Sequence, residues 1–93
     1  MPYIEKKDRE KLDSEIEDVI DALTNHGFKT AVVGDVNYVF SKIIWTLFQK
    51  NRSYTNGNNL VGVLECVKQE FIRRQLNPYE NEKIAQNGDI CEA

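Results

Sequence analysis

Between positions 36 and 48, Val36, Val39, Phe40, Ile43, Ile44, Leu47 and Phe48 recur at i, i+3, i+4, i+7, i+8, i+11 and i+12. A strand alternates its faces every second residue and cannot gather this set on one side; a helix gathers it into one stripe. The segment from about Asp35 to about Lys50 is therefore read as a helix. At about 100° per residue the stripe centres near Val36, Ile43 and Leu47. Tyr38 and Trp45 then fall on the opposite side, one above the other. A helix with a full apolar stripe and two aromatics behind it is wanted on two faces. No single small core satisfies both.

The flanking segments carry the same period. Leu12, Ile16, Val19, Ile20 and Leu23 give a helix from about Asp8 to about Asn25. Asp8, Glu10, Asp13, Glu15, Glu17, Asp18 and Asp21 crowd its remaining surface, as on a solvated outer face. Gly27 supplies a stop. "FKTAVVG" (28–34) reads as a short extended connector, a strand or an early start of the next helix; no partner strand stands elsewhere, so a sheet is rejected, and Asp35 either caps the next helix or sits in its first turn. In "NRSYTNGNN" both flanks of Asn56-Gly57 are helical, so the pair reads as a helix-helix loop. A third helix from about Asn59 to about Leu76 carries Leu60, Leu64, Val67 and Phe71 on one stripe. Val61, Ile72 and Leu76 form a second stripe, into which Glu65 projects.

"NPYENEKIAQNGDI" (77–90) then raises the question of a frayed tail or a further helix. Asn77 is a good N-cap, Pro78 suits the first helical position, and Glu80 stands three residues after Asn77 as in a capping box. Asn87-Gly88 offers a left-handed stop. The reading is a break at Asn77, a short helix from about Pro78 to about Gln86, and a loose tail over 87–93. The expected fold is all-α: a small three-helix bundle plus a short C-terminal helix, in one domain over 1–93.

A chain of 93 residues with 41% hydrophobic and 29% charged residues is compositionally globular. Its net charge of −3 argues against general binding to nucleic acid, which needs concentrated Lys and Arg. Cys66 and Cys91 have no metal-ligand spacing and are too few for a disulfide framework, so a reducing, cytoplasmic setting is expected. "MPYIEKKDRE" has no apolar segment of the signal-peptide kind, and no apolar run approaches the ~18–20 residues of a membrane span.

Four elements, "MPYI", "GDVNYVFSKI", "GVLECVKQEFIRR" and "PYENEKIAQNGDI", together span most of the chain. On these the chain resembles a small prokaryotic and viral protein family described as a domain of unknown function. The resemblance implies a compact intracellular protein. It implies no activity.

The sharpest enzymatic alternative is a metal-dependent, all-α nucleotide pyrophosphohydrolase, which the chain resembles in size, helicity and a "GD" opening of a carboxylate-bearing helix. That chemistry clusters carboxylates to hold Mg²⁺ against phosphate oxygens, in an EExxE pattern on one helix and ExxD on the next. Glu15, Glu17 and Asp18 do not reproduce the first. Val32 stands three before Asp35 where the second needs glutamate. If its helix is packed on two sides, Glu65 is partly desolvated and needs a partner, either a structural ion pair or hydrogen bond or else a metal or ligand contact. Glu70 lies within reach of Arg73 and Arg74, either as surface ion pairing or with the arginines reading a carboxylate or phosphate. His26, beside Gly27, reads as a helix-terminal residue. A nucleic-acid reading would use Lys68, Arg73, Arg74 and Tyr79, with the break at Asn77-Pro78 as a helix-turn-helix corner. The helix beyond it is too short and too acidic to read a major groove.

The reading is a small, non-catalytic helical interaction or accessory module that self-associates as a dimer or binds another protein. Its interface or binding candidates are Tyr38, Trp45, Glu65, Glu70, Arg73, Arg74, Tyr79 and Glu80, with no cofactor and no metal. Because the carboxylate pattern is broken, calorimetry with Mg²⁺ or Mn²⁺ is expected to give no tight one-to-one isotherm, and nucleoside triphosphates to release no pyrophosphate. Either signal would restore the hydrolase.

Overall fold

The computed structural model describes residues 4–24 and 32–91. The expected helix end at Gly27, His26 and residues 28–31 of the connector lie outside them. Among the described residues all regular structure is helical and there is no strand, as the periodicity requires. The chain forms two compact units, Met1–Asn51 and Arg52–Ala93.

The first unit holds α1 (Lys6–Thr24) and α2 (Val33–Lys50). The first turn of α1 hangs on the Glu5 carbonyl, which accepts from the backbone N–H groups of Asp8 at 2.9 Å and Arg9 at 3.1 Å. The Arg9 Nε also donates to the Ile4 carbonyl at 2.9 Å. The stripe of α1, from Leu12 to Leu23, lines an open apolar groove of about 470 Å³ together with Phe40 of α2. α2 begins at Val33, two residues before the expected start. The Val36 N–H bonds the carbonyl of extended Val32 at 3.1 Å, and no side chain caps the helix. Asp35 stands in the first turn, where its charge meets the positive end of the helix.

The second unit departs further from expectation. α3 (Tyr54–Phe71) starts about five residues early. The Ser53 hydroxyl accepts from the Asn56 N–H at 3.1 Å, and the Ser53 carbonyl accepts from the Gly57 N–H at 2.9 Å. Asn56-Gly57 is thus the first helical turn, not a loop. A side-chain cap at Ser53 outweighs the turn preference of Asn-Gly, since it satisfies an N–H that a helix start leaves open.

The expected break at Asn77 is also absent. A π turn, Ile72–Leu76, joins α3 to α4 (Asn77–Asn87), and Phe71, Ile72, Leu76 and Asn77 all keep right-handed helical dihedrals. Asn77 is no cap; its N–H bonds the Ile72 carbonyl, five residues back. Pro78 explains the widening. It has no N–H for the Arg74 carbonyl, and in a regular helix its ring would strike that carbonyl. One wide turn before the proline relieves the clash without ending the helix. The end comes where expected: Gly88 takes φ 89°, and its N–H bonds the Ile84 carbonyl at 2.8 Å.

The apolar positions of the three long helices follow one template. Leu12, Ile16, Val19 and Leu23 recur 24 residues later as Val36, Phe40, Ile43 and Leu47, and again as Leu60, Leu64, Val67 and Phe71. The 4-3-4 spacing is that of a coiled-coil seam. Yet no described side chain is buried; Ile16, Ile43 and Val67 are 50%, 46% and 55% exposed.

Two substitutions test this account. Ser53→Ala removes the cap of α3 and is expected to cost about 1 kcal/mol in urea denaturation; an unchanged midpoint would discount the hydroxyl. Pro78→Ala restores the missing donor and is expected to raise the thermal midpoint and to protect the new amide at position 78 from exchange, since proline costs up to ~3 kcal/mol in a helix interior. A lower midpoint would mean that the π turn is held by something other than the proline.

Candidate functional site

On α2, Tyr38 and Trp45 sit seven residues apart on the side away from the stripe, as the helical period demands. They line one shallow depression of about 300 Å³ with Ser41 and Lys42. Tyr38 is 63% exposed and Trp45 70%. Ser41 and Lys42 were not singled out by the sequence reading, but their signal was available: each lies three or four residues from both aromatics. The Ser41 hydroxyl donates to the Asn37 side-chain oxygen at 3.1 Å.

The charged candidates lie on the second unit. Glu65 has a side chain that is 57% exposed, accepts from the Gln69 amide at 2.9 Å and stands 3.9 Å from the Lys68 ammonium. Neighbours on its own helix serve as its partners, and the second stripe does not enclose it. Glu70 receives Arg73 Nη2 at 2.9 Å from each carboxylate oxygen, with Arg74 Nη1 at 3.8 Å. An incoming phosphate or carboxylate would have to displace Glu70 from both arginines. With Arg73 and Arg74 mostly exposed, this pairing contributes at most about 1 kcal/mol.

Tyr79, 53% exposed, has the Lys83 ammonium 5.4 Å from its ring centre, one turn along α4. At that distance the ring face attracts the cation, worth about 0.5–1 kcal/mol on an exposed surface. Glu80 stands in the first turn of α4. Cys66 is half-buried and Cys91 exposed, both as free thiols.

Among the described residues, no group of three or more His, Cys, Asp or Glu side chains is arranged to hold a metal ion. Nor, among those residues, is any helix long and apolar enough to cross a membrane. What the described residues do bring together is an aromatic face on α2, an Arg–Glu–Arg cluster on the α3 side of Pro78, and a Tyr–Lys pair beyond it.

No curated protein and no solved structure shows significant similarity to this chain. One family model matches residues 1–90, nearly the whole sequence. The chain belongs to the family described as Domain of unknown function (DUF6899).

Proposed function

We propose that this chain is a non-catalytic helical interaction module that acts by associating with itself. The observation that carries the reading is the aromatic face of α2. Phe40, on the stripe, lines the groove of α1. Tyr38 and Trp45 point the other way and remain 63% and 70% exposed. Any cover that closes the stripe leaves this pair outside. One exposed aromatic is ordinary on a protein surface; a stacked pair around an open depression is the anatomy of a contact site. Tyr and Trp are also the residues on which interface energy concentrates.

The setting of the face favours assembly over catalysis. Ser41 has its hydroxyl bonded to Asn37, none of the described residues lining the depression holds it as a base, and Lys42 offers one cation. Nucleophilic catalysis needs a base aligned on the nucleophile, which the depression does not provide. A closed point-group assembly uses one such patch twice.

Light scattering across a dilution series, with Trp45 fluorescence read in parallel, tests the proposal. A mass of two chains at micromolar concentration and above is expected, with a blue-shifted Trp45 emission that moves red as the dimer dissociates. Trp45→Ala is expected to weaken association or folding by ~3 kcal/mol or more where burial is complete. A single-chain mass at high concentration, with red-shifted and readily quenched emission, would overturn it.

A further inference from the structure

We propose that Asn87 is a site of spontaneous modification: its side-chain amide is lost to attack by the Gly88 nitrogen, and the charge that replaces it loosens the last turn of α4. The inference is independent of the self-association reading.

The chain holds two Asn-Gly pairs, Asn56-Gly57 and Asn87-Gly88. Loss of the amide begins when the backbone nitrogen after an asparagine reaches that asparagine's side-chain carbonyl carbon. Glycine is the most permissive follower, because it has no Cβ in the way and allows the widest range of backbone angles. The fold then separates the two pairs. The Gly57 N–H donates to the Ser53 carbonyl at 2.9 Å, and the Asn56 N–H to the Ser53 hydroxyl at 3.1 Å. Both residues are half-buried, and the helical backbone runs on from them to Asn87. Asn56 cannot turn its backbone toward attack without undoing a capped helix start.

Asn87 stands at the other end. It is the last residue of α4, and both it and Gly88 are exposed. The Gly88 N–H is held by a closing bond to the Ile84 carbonyl at 2.8 Å. No regular structure follows within residues 88–91. Terminal turns of helices open far more readily than their interiors, so this bond is released by local fraying alone. Gly88, at φ 89°, already adopts a backbone conformation that other residues resist.

The step balances without an oxidant. The Gly88 nitrogen gives up its proton and bonds to Asn87 Cγ. The Cγ–Nδ2 bond breaks, and the amide leaves as ammonia with that proton. Water then opens the cyclic imide at either carbonyl, giving aspartate or isoaspartate; one water enters and one ammonia leaves. Either product adds a negative charge to a chain of net charge −3, beside Asp89. The charge falls at the negative end of the α4 dipole, in a last turn with no basic residue to offset it. Isoaspartate also lengthens the backbone by one carbon and takes the Gly88 N–H out of line with the Ile84 carbonyl.

Incubation of the full chain at mildly alkaline pH, followed by peptide mapping in a mass spectrometer, tests this. In the folded protein Asn87 is expected to convert several-fold faster than Asn56. In concentrated urea the two should convert at similar rates, because the fold no longer separates them. Asn87→Asp should speed hydrogen exchange at the Gly88 amide relative to the unaltered chain. Asn87→Gln, whose longer side chain closes the ring far more slowly, should keep that amide protected through the same incubation. Equal rates in the folded protein, or faster conversion at Asn56, would overturn the site. An Asn87→Asp chain with an undiminished Gly88 protection, or an Asn87→Gln chain that loses it on the same schedule, would overturn the loosening of α4.

Discussion

Phe40 against the α1 groove and Trp45 on the reverse of the same helix express one constraint: α2 has more apolar surface than one side can use. With 3.6 residues per turn, residues 40 and 45 cannot share a face. Whatever closes over the stripe cannot also close over the aromatics. The roles of the other elements follow. α1, heavily acidic outside its stripe, can cover one side of α2 and otherwise face water. The second side carries Tyr38 and Trp45, which stay 63% and 70% exposed.

The energetics point the same way. Burying a large aliphatic or aromatic side chain contributes about 1.5–3 kcal/mol. The stripe residues of α1, α2 and α3 are half-exposed and realise only part of it. Local terms do not replace it, since a cap such as Ser53 contributes about 1 kcal/mol and an exposed pair such as Arg73–Glu70 less than that. Helices of 18 or 19 residues are only modestly stable alone in water. Further burial is therefore the principal source of stability open to this chain.

Much of the fold was legible because apolar period is a strong signal over long segments. The three stripes, the aromatic pair behind one of them and the glycine stop at Gly88 could all be read from residue spacing. Boundaries failed where two local signals competed. Asn56-Gly57 announces a turn, but Ser53 three residues earlier offers a better cap, and the helix starts there. Asn77, Pro78 and Glu80 together spell a helix start, yet the same residues fit inside a helix once the preceding turn widens. Glu65 could be placed beside Val61, Ile72 and Leu76, which share its side. Side-chain exposure depends on what covers a face, and spacing alone does not supply the cover. The candidate site was legible only as residue pairs; that Ser41 and Lys42 join Tyr38 and Trp45 in one depression required the helix itself.

The π turn before Pro78 does more than absorb a proline. It adds a residue to the chain without adding a step of rotation, so every position beyond it is set back by about 100° relative to an unbroken α-helix. Counted without that correction, Tyr79 would lie to one side of the line through Leu60, Leu64, Val67 and Phe71. Counted with it, Tyr79 returns to that line, and Lys83 follows one turn on. The wide turn is thus a phase adjuster, extending one seam across two helical segments whose sequences are out of step. An insertion or deletion of one residue between Ile72 and Leu76 would leave the helix continuous and yet turn the tyrosine away from its row.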